Sequence, residues 1–167
     1  MTNENGVKVL TDMVADFVAH IGKKLPDDVV AKLEELGSQE TAALPKALYE
    51  TMTKSQKLAV ELNRPSCQDT GVIQYFVEAG ANFPLLGELE DILKDATAGA
   101  TRMGPLRHNA VETFDEKNTG TNTGTKAPWL DWEIVPDDDG VTIDAYMAGG
   151  GCTLPGSATV LMPGQGY

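Results

Sequence analysis

The sequence predicts an α+β fold: a helical N-terminal third, then a mixed or antiparallel sheet with one further helix. Two patterns carry this reading. Apolar residues recur every three or four positions through the first part of the chain, and between Leu130 and Met147 they alternate with polar ones. No internal repeat competes with that division.

The first helix is marked by Leu10, Met13, Val14, Phe17, Val18 and Ile21, which fall on one helical face. Gly22 and Pro26 end it and restart the chain. Pro26-Asp27-Asp28 suits a first turn, with acids at the positive end of the helix dipole. Val29, Val30, Leu33 and Leu36 give the second helix its face, and Gly37 is expected to stop it. A third helix is expected from about Thr41 to Leu62, with Leu44, Leu48, Met52, Ala59 and Leu62 roughly in line and Pro45 tolerable only near its start. The period is lost at Asn63, and Arg64 to Gly71 reads as a loop. Val72 to Val77 reads as a buried strand. After a connection from Gly80 to Gly87, a fourth helix follows from Leu89, Ile92, Leu93, Ala96 and Ala100. Regular structure thins from Gly104 to Lys126. Leu130, Trp132 and Ile134 then mark one strand, and Val141, Ile143, Ala145 and Met147 a second. Pro136 to Gly140 joins them as the loop of an expected hairpin. The stretch from Gly149 to Tyr167 reads as loop, with Pro155 and Pro163. Its apolar run Val160-Leu161-Met162 is expected to be poorly supported alone and to dock further sequence, so the domain is expected to be incomplete.

The chain has 167 residues, enough for one ordinary domain. Its net charge of −12 argues against nucleic acid and anionic lipid as partners, since both are bound through clustered Lys and Arg. No apolar run is long enough to span a membrane, and Met1 to Gly6 lacks the features of a secretory signal. Cys67 and Cys152 make no disulfide framework. The expected compartment is the cytoplasm, where thiols stay reduced.

Cys67 is the first candidate for chemistry. A lone cysteine is most often a buried structural residue, but Arg64, Gln68 and Asp69 around it are poor company for an apolar core. A nearby Arg favours the thiolate, the form that binds metal or attacks carbon. Arg107 is the second: an Arg in an irregular segment is either a surface charge or a two-point grip for a carboxylate. His108 beside it is either solvated or a proton carrier near neutral pH. Asn118 to Gly124 is either a flexible loop or a set of backbone amides for an anion. Gly149-Gly150-Gly151 either makes a tight turn or lets backbone approach a ligand. Neither a phosphate-loop pattern nor zinc spacing around Cys67 is present.

Together the segments RPSCQDTG, GPLRHNAVETFDEKNTGTNTGT and AGGGCTLPGSATVLMPGQGY resemble the iron–sulfur hydro-lyases of the class I fumarase and tartrate dehydratase group. The resemblance extends to PDDVVAKLEEL and FPLLGELEDIL, and CQDTG is its most specific piece. It implies an oxygen-sensitive 4Fe–4S cluster held by three cysteines, with an open iron acting as Lewis acid on a hydroxy-dicarboxylic acid. By resemblance, Cys67 is a cluster ligand, Gln68 and Asp69 line its substrate side, Arg107 holds a substrate carboxylate, and Gly150 and Gly151 bring backbone beside substrate or cluster. It also implies two further cluster cysteines downstream of the segment matching Tyr167. Residues 1–167 are then expected to be the N-terminal portion of an alpha-type domain, inactive alone, completed by further alpha sequence and a beta subunit. Related fumarases usually have serine at the position of Cys152, so it is not expected to bind iron. The base is expected on another domain or on the beta subunit. The wording of PLRHNAV and AGGGCTLPG favours tartrate, dehydrated to oxaloacetate, over fumarate and malate. The contrasting possibility is a non-catalytic remnant or binding module.

Overall fold

The computed structural model describes residues 3–153 apart from Gln68 and Pro105, together with residues 159, 160, 162 and 164. The element order is α1 (Asn3–Ile21), α2 (Asp27–Gln39), α3 (Ala43–Glu61), β1 (Val72–Gly80), a 3-10 turn (Leu86–Glu88), α4 (Leu89–Arg102), β2 (Trp129–Val135), β3 (Val141–Ala148) and the short α5 (Gly150–Thr153). The α+β reading holds, and the sheet is mixed.

The sheet order is β2-β1-β3. β1 runs parallel to β2 and antiparallel to β3. The expected hairpin of β2 and β3 is therefore not formed, because β1 lies between them. The segment from Pro136 to Gly140 bridges across the end of β1 instead. There the Gly80 N–H donates to the Gly140 carbonyl, Ala81 to Val135 and Asn82 to Asp138, each at 2.9 Å. Gly80 is required at this crossing: a Cβ there would lie 2.2 Å from the Asp138 carbonyl oxygen. The turn chemistry of Pro136–Gly140 was read correctly as a reversal, but a local reversal does not reveal a strand inserted between its arms.

One face of the sheet carries the core. Ile73, Tyr75, Val77 and Ala79 of β1 alternate inward and meet α1 and α4, which pack on each other. Leu89, Ile92, Leu93, Ala96 and Ala100 of α4 are all buried, as their spacing predicts. Full burial of Leu89, Ile92 or Leu93 stabilises by about 1.5–3 kcal/mol each. Val14 and Val18 supply the matching stripe on α1, whereas Met13 and Phe17 of the same predicted set are exposed. Inside this core the Tyr75 hydroxyl donates to Thr97 Oγ1 at 2.9 Å, and Thr97 passes its own proton to the Leu93 carbonyl at 2.9 Å. Burial pushes the Tyr75 phenol up to about 12.

α2 and α3 pack against each other as a helical hairpin. Gly37 does not stop α2, which continues to Gln39. Instead Gly37 is the contact point of the hairpin, since a Cβ there would lie 3.0 Å from the Tyr49 Cβ. The apolar line of α3 is formed as expected but is largely uncovered: Leu44 is 73% exposed, and Leu48 and Met52 are also exposed. Of the run Val160–Met162, Val160 and Met162 are exposed and Leu161 lies outside the described residues.

Candidate functional site

The chain leaves α3 through Asn63, whose φ of +49 is a conformation Asn tolerates. The Arg64 N–H then donates to the Ala59 carbonyl at 2.9 Å, and the Ser66 N–H to the Gly22 carbonyl at 3.0 Å. These bonds tie the Cys67 loop to the ends of α3 and α1. Cys67 is exposed, and its Sγ accepts the Asp69 N–H at 3.5 Å. Arg64 is the neighbour the sequence singles out; the group that the structure places at the sulfur is the Asp69 amide.

Asp69 is the meeting point of three segments. Its Oδ1 accepts the Gly71 N–H at 2.9 Å and Asn109 Nδ2 at 2.7 Å, and its Oδ2 accepts the Gly151 N–H at 3.1 Å. The glycines on both sides make this approach possible. Gly71 has a φ of +68, and a Cβ on it would lie 1.8 Å from the Ala148 carbonyl oxygen. Only a residue without a side chain fits backbone that close to the end of β3. Gly150 and Gly151, read from sequence as loop, begin the short α5, and the Gly151 N–H reaches the cysteine loop at the carboxylate of Asp69.

The segment after α4 comes to the same place. Leu106 is buried in the core while Arg107 and His108 are exposed. The Arg107 N–H donates to Thr70 Oγ1 at 2.8 Å, and its carbonyl accepts Asn122 Nδ2 at 2.8 Å. The Asn109 N–H donates to Asn122 Oδ1 at 2.7 Å. In the run from Asn118 to Gly124, the Thr119 N–H donates to the Ala110 carbonyl, the Gly120 N–H to Asn118 Oδ1 and the Gly124 N–H to the Ala127 carbonyl. Its side chains meet the Arg107 segment, with Asn118 Nδ2 donating to the His108 carbonyl and Asn122 Nδ2 to the Arg107 carbonyl.

The structure therefore gathers Cys67, Asp69, the backbone of Arg107 and Gly151 around one junction. Gln68 lies outside the described residues, and so does the side chain of Cys152 in α5. Thr70, Asn109 and Asn122 were given no role from sequence, although each stands inside a segment singled out there. Among the described residues, no group of three or more His, Cys, Asp or Glu side chains is placed to hold a metal ion. No helix among them is long and apolar enough to cross a membrane.

Comparison with known proteins meets this geometry at the same segments. The pattern of the fumarate hydratase (Fumerase) family matches residues 11–167, covering the Cys67 loop, the Arg107 segment and the glycine turn. This chain belongs to the fumarate hydratase (Fumerase) family. Within the family it is 56% identical, over 98% of its length, to the L(+)-tartrate dehydratase subunit alpha of Escherichia coli strain K12, of which it covers 54%. The same values hold for the protein of that name from Shigella sonnei. It is 30% identical over 94% of its length to a putative L(+)-tartrate dehydratase subunit alpha of Methanocaldococcus jannaschii, of which it covers 56%. The chain thus spans about half the length of the curated relatives it matches.

Proposed function

We propose that this chain is part of an iron–sulfur hydro-lyase that dehydrates L(+)-tartrate to oxaloacetate in the cytoplasm. It acts there as an alpha-type component, with residues 1–167 as the N-terminal portion of the alpha domain. The observation that carries this reading is the 56% identity, over nearly all of this chain, to a protein named L(+)-tartrate dehydratase subunit alpha. The word subunit in that name supports a beta subunit as partner, and the half-length coverage supports further alpha sequence in the working enzyme.

The residues at the junction suit the chemistry in part. Cys67 offers an accessible sulfur with an N–H donor already at it, which fits one ligand position of a 4Fe–4S cluster. A single thiolate does not hold a cubane, so the described residues fit one corner of the group and not the whole. A bound cluster with an open iron supplies Lewis acidity toward a leaving hydroxyl. The exposed guanidinium of Arg107 grips a substrate carboxylate by two parallel N–H bonds. Asp69 has its carboxylate taken up by Gly71, Gly151 and Asn109, so it orders the backbone of Gly150 and Gly151 beside the substrate. Gln68, which lies outside the described residues, is assigned to the substrate side by the resemblance alone.

The family description, fumarate hydratase, supports a second reading in which fumarate and malate are the substrates. Steady-state turnover of L-tartrate, fumarate and L-malate by the assembled enzyme separates the two. Tartrate is expected to be preferred, and Cys67→Ser to remove both the visible cluster absorption and turnover. Preference for fumarate would transfer the assignment to the second reading. Full activity in Cys67→Ser would end both.

A further inference from the structure

Arg107 is exposed, yet its peptide groups are held from both sides by side chains that are not. Thr70 Oγ1 accepts its N–H at 2.8 Å and Asn122 Nδ2 donates to its carbonyl at 2.8 Å. Thr70 is 5% and Asn122 4% exposed. The grip continues along the segment: Asn118 Nδ2 donates to the His108 carbonyl, and Asn122 Oδ1 accepts the Asn109 N–H at 2.7 Å. Asn122 is itself anchored, with Nδ2 also donating to Thr101 Oγ1 on α4 at 3.2 Å. Thr70 stands in the same loop as Cys67, so its bond couples the arginine to the cysteine loop directly.

We propose that Thr70 and Asn122 are positioning residues for Arg107. They fix the two peptide groups from which the guanidinium extends and set its register against the Cys67 loop. The inference rests on the reading of Arg107 as the carboxylate grip. A planar fork binds a carboxylate at two points only when its stem is aimed, and misplacement of about 1 Å in such a clamp is costly.

The residue types fit the task. Asn122 uses its amide as acceptor toward Asn109 and as donor toward Arg107, which a carboxylate cannot do. Its φ of +57 is tolerated by Asn and Gly and resisted by most other residues. Thr70 presents an acceptor from within a buried site, where valine of the same shape leaves the Arg107 N–H unpaired.

The test uses equilibrium titration of L-tartrate into the assembled enzyme. Thr70→Val is expected to weaken binding about tenfold, the scale of one buried donor left unpaired, while Thr70→Ser stays within about twofold. Asn122→Gly, which keeps the backbone conformation and removes the clamp, is expected to match Thr70→Val. In an Arg107→Ala background neither change is expected to weaken binding further. Amide exchange is expected to quicken at Arg107 and Asn109 in both variants while Tyr75 and Val77 in the core are unmoved. Equal losses with and without Arg107 would overturn the proposal, as would unaltered affinity in both clamp variants while Arg107→Ala alone weakens binding. If Arg107→Ala itself leaves affinity unchanged, the grip assigned under the proposed function is what fails.

Discussion

Replacing Gly71 by alanine tests the junction at its tightest point. Two costs add there. Holding alanine at a φ of +68 costs roughly 1–2 kcal/mol. The new Cβ also falls 1.8 Å from the Ala148 carbonyl oxygen and 2.5 Å from Gly149 Cα, both backbone atoms that cannot rotate aside. Forcing such an overlap adds about 1–3 kcal/mol, as for other overpacked sites. The expected loss is about 2–5 kcal/mol, a large share of the 5–15 kcal/mol typical of a domain. Gly120 supplies the control: its φ is +73, and a Cβ there meets nothing within 4 Å. Gly120→Ala is therefore expected to cost only the conformational part, roughly 1–2 kcal/mol. Urea unfolding of the two variants beside the parent chain isolates the overlap as their difference. The relief of the clash moves Gly149 away from Asp69, so the Gly151 amide is also expected to exchange faster in Gly71→Ala. If the two variants unfold at the same urea concentration, the close approach of the cysteine loop to the glycine turn is wrong.

The Tyr75 phenol gives a pH signature. Its folded value is raised from near 10 to about 12, so its contribution is complete below pH 10 and is lost as pH rises toward 12. That loss amounts to about 2–3 kcal/mol, and it is expected to vanish from the alkaline unfolding profile of Tyr75→Phe; identical profiles would refute it. Leu93→Ala, at a fully buried site on α4, is expected to cost about 2–5 kcal/mol by denaturant titration. A loss below about 0.5 kcal/mol would contradict the packing of α4 on α1 and the sheet. The chain alone, reconstituted with iron and sulfide without oxygen, is expected to retain far less than a full cluster per monomer, because the described residues fit one ligand corner; a full complement would require other ligands from this chain.

What could be read from the sequence follows the range of the interactions involved. α4 was legible because Leu89, Ile92, Leu93, Ala96 and Ala100 repeat a local pattern and all of them pack inward. Leu44, Leu48 and Met52 repeat a similar pattern, but spacing states that a face exists and not that anything covers it. Gly37 was misread because a glycine that ends a helix and a glycine that admits a neighbouring helix look the same until Tyr49 is placed beside it. At the candidate site, Cys67 and Arg107 stand out in the sequence by chemical type alone. Thr70, Asn109 and Asn122 do not, since threonine and asparagine are ordinary loop residues. Their meaning lies in partners 13 to 40 residues away.

The strand order also bears on how the chain is made. β1 is central, yet it is synthesised before both strands that flank it. Its end at Gly80 precedes the start of β2 at Trp129 by roughly fifty residues, which is several seconds of translation. During that interval α1 and α4 are both available to cover the inner side of β1, so Ile73, Tyr75 and Val77 can be sheltered early. The two edges of β1 have no such early cover, and they wait as bare hydrogen-bonding rails for strands still inside the ribosome. Until β2 and β3 emerge, those edges are open to pairing with any other strand.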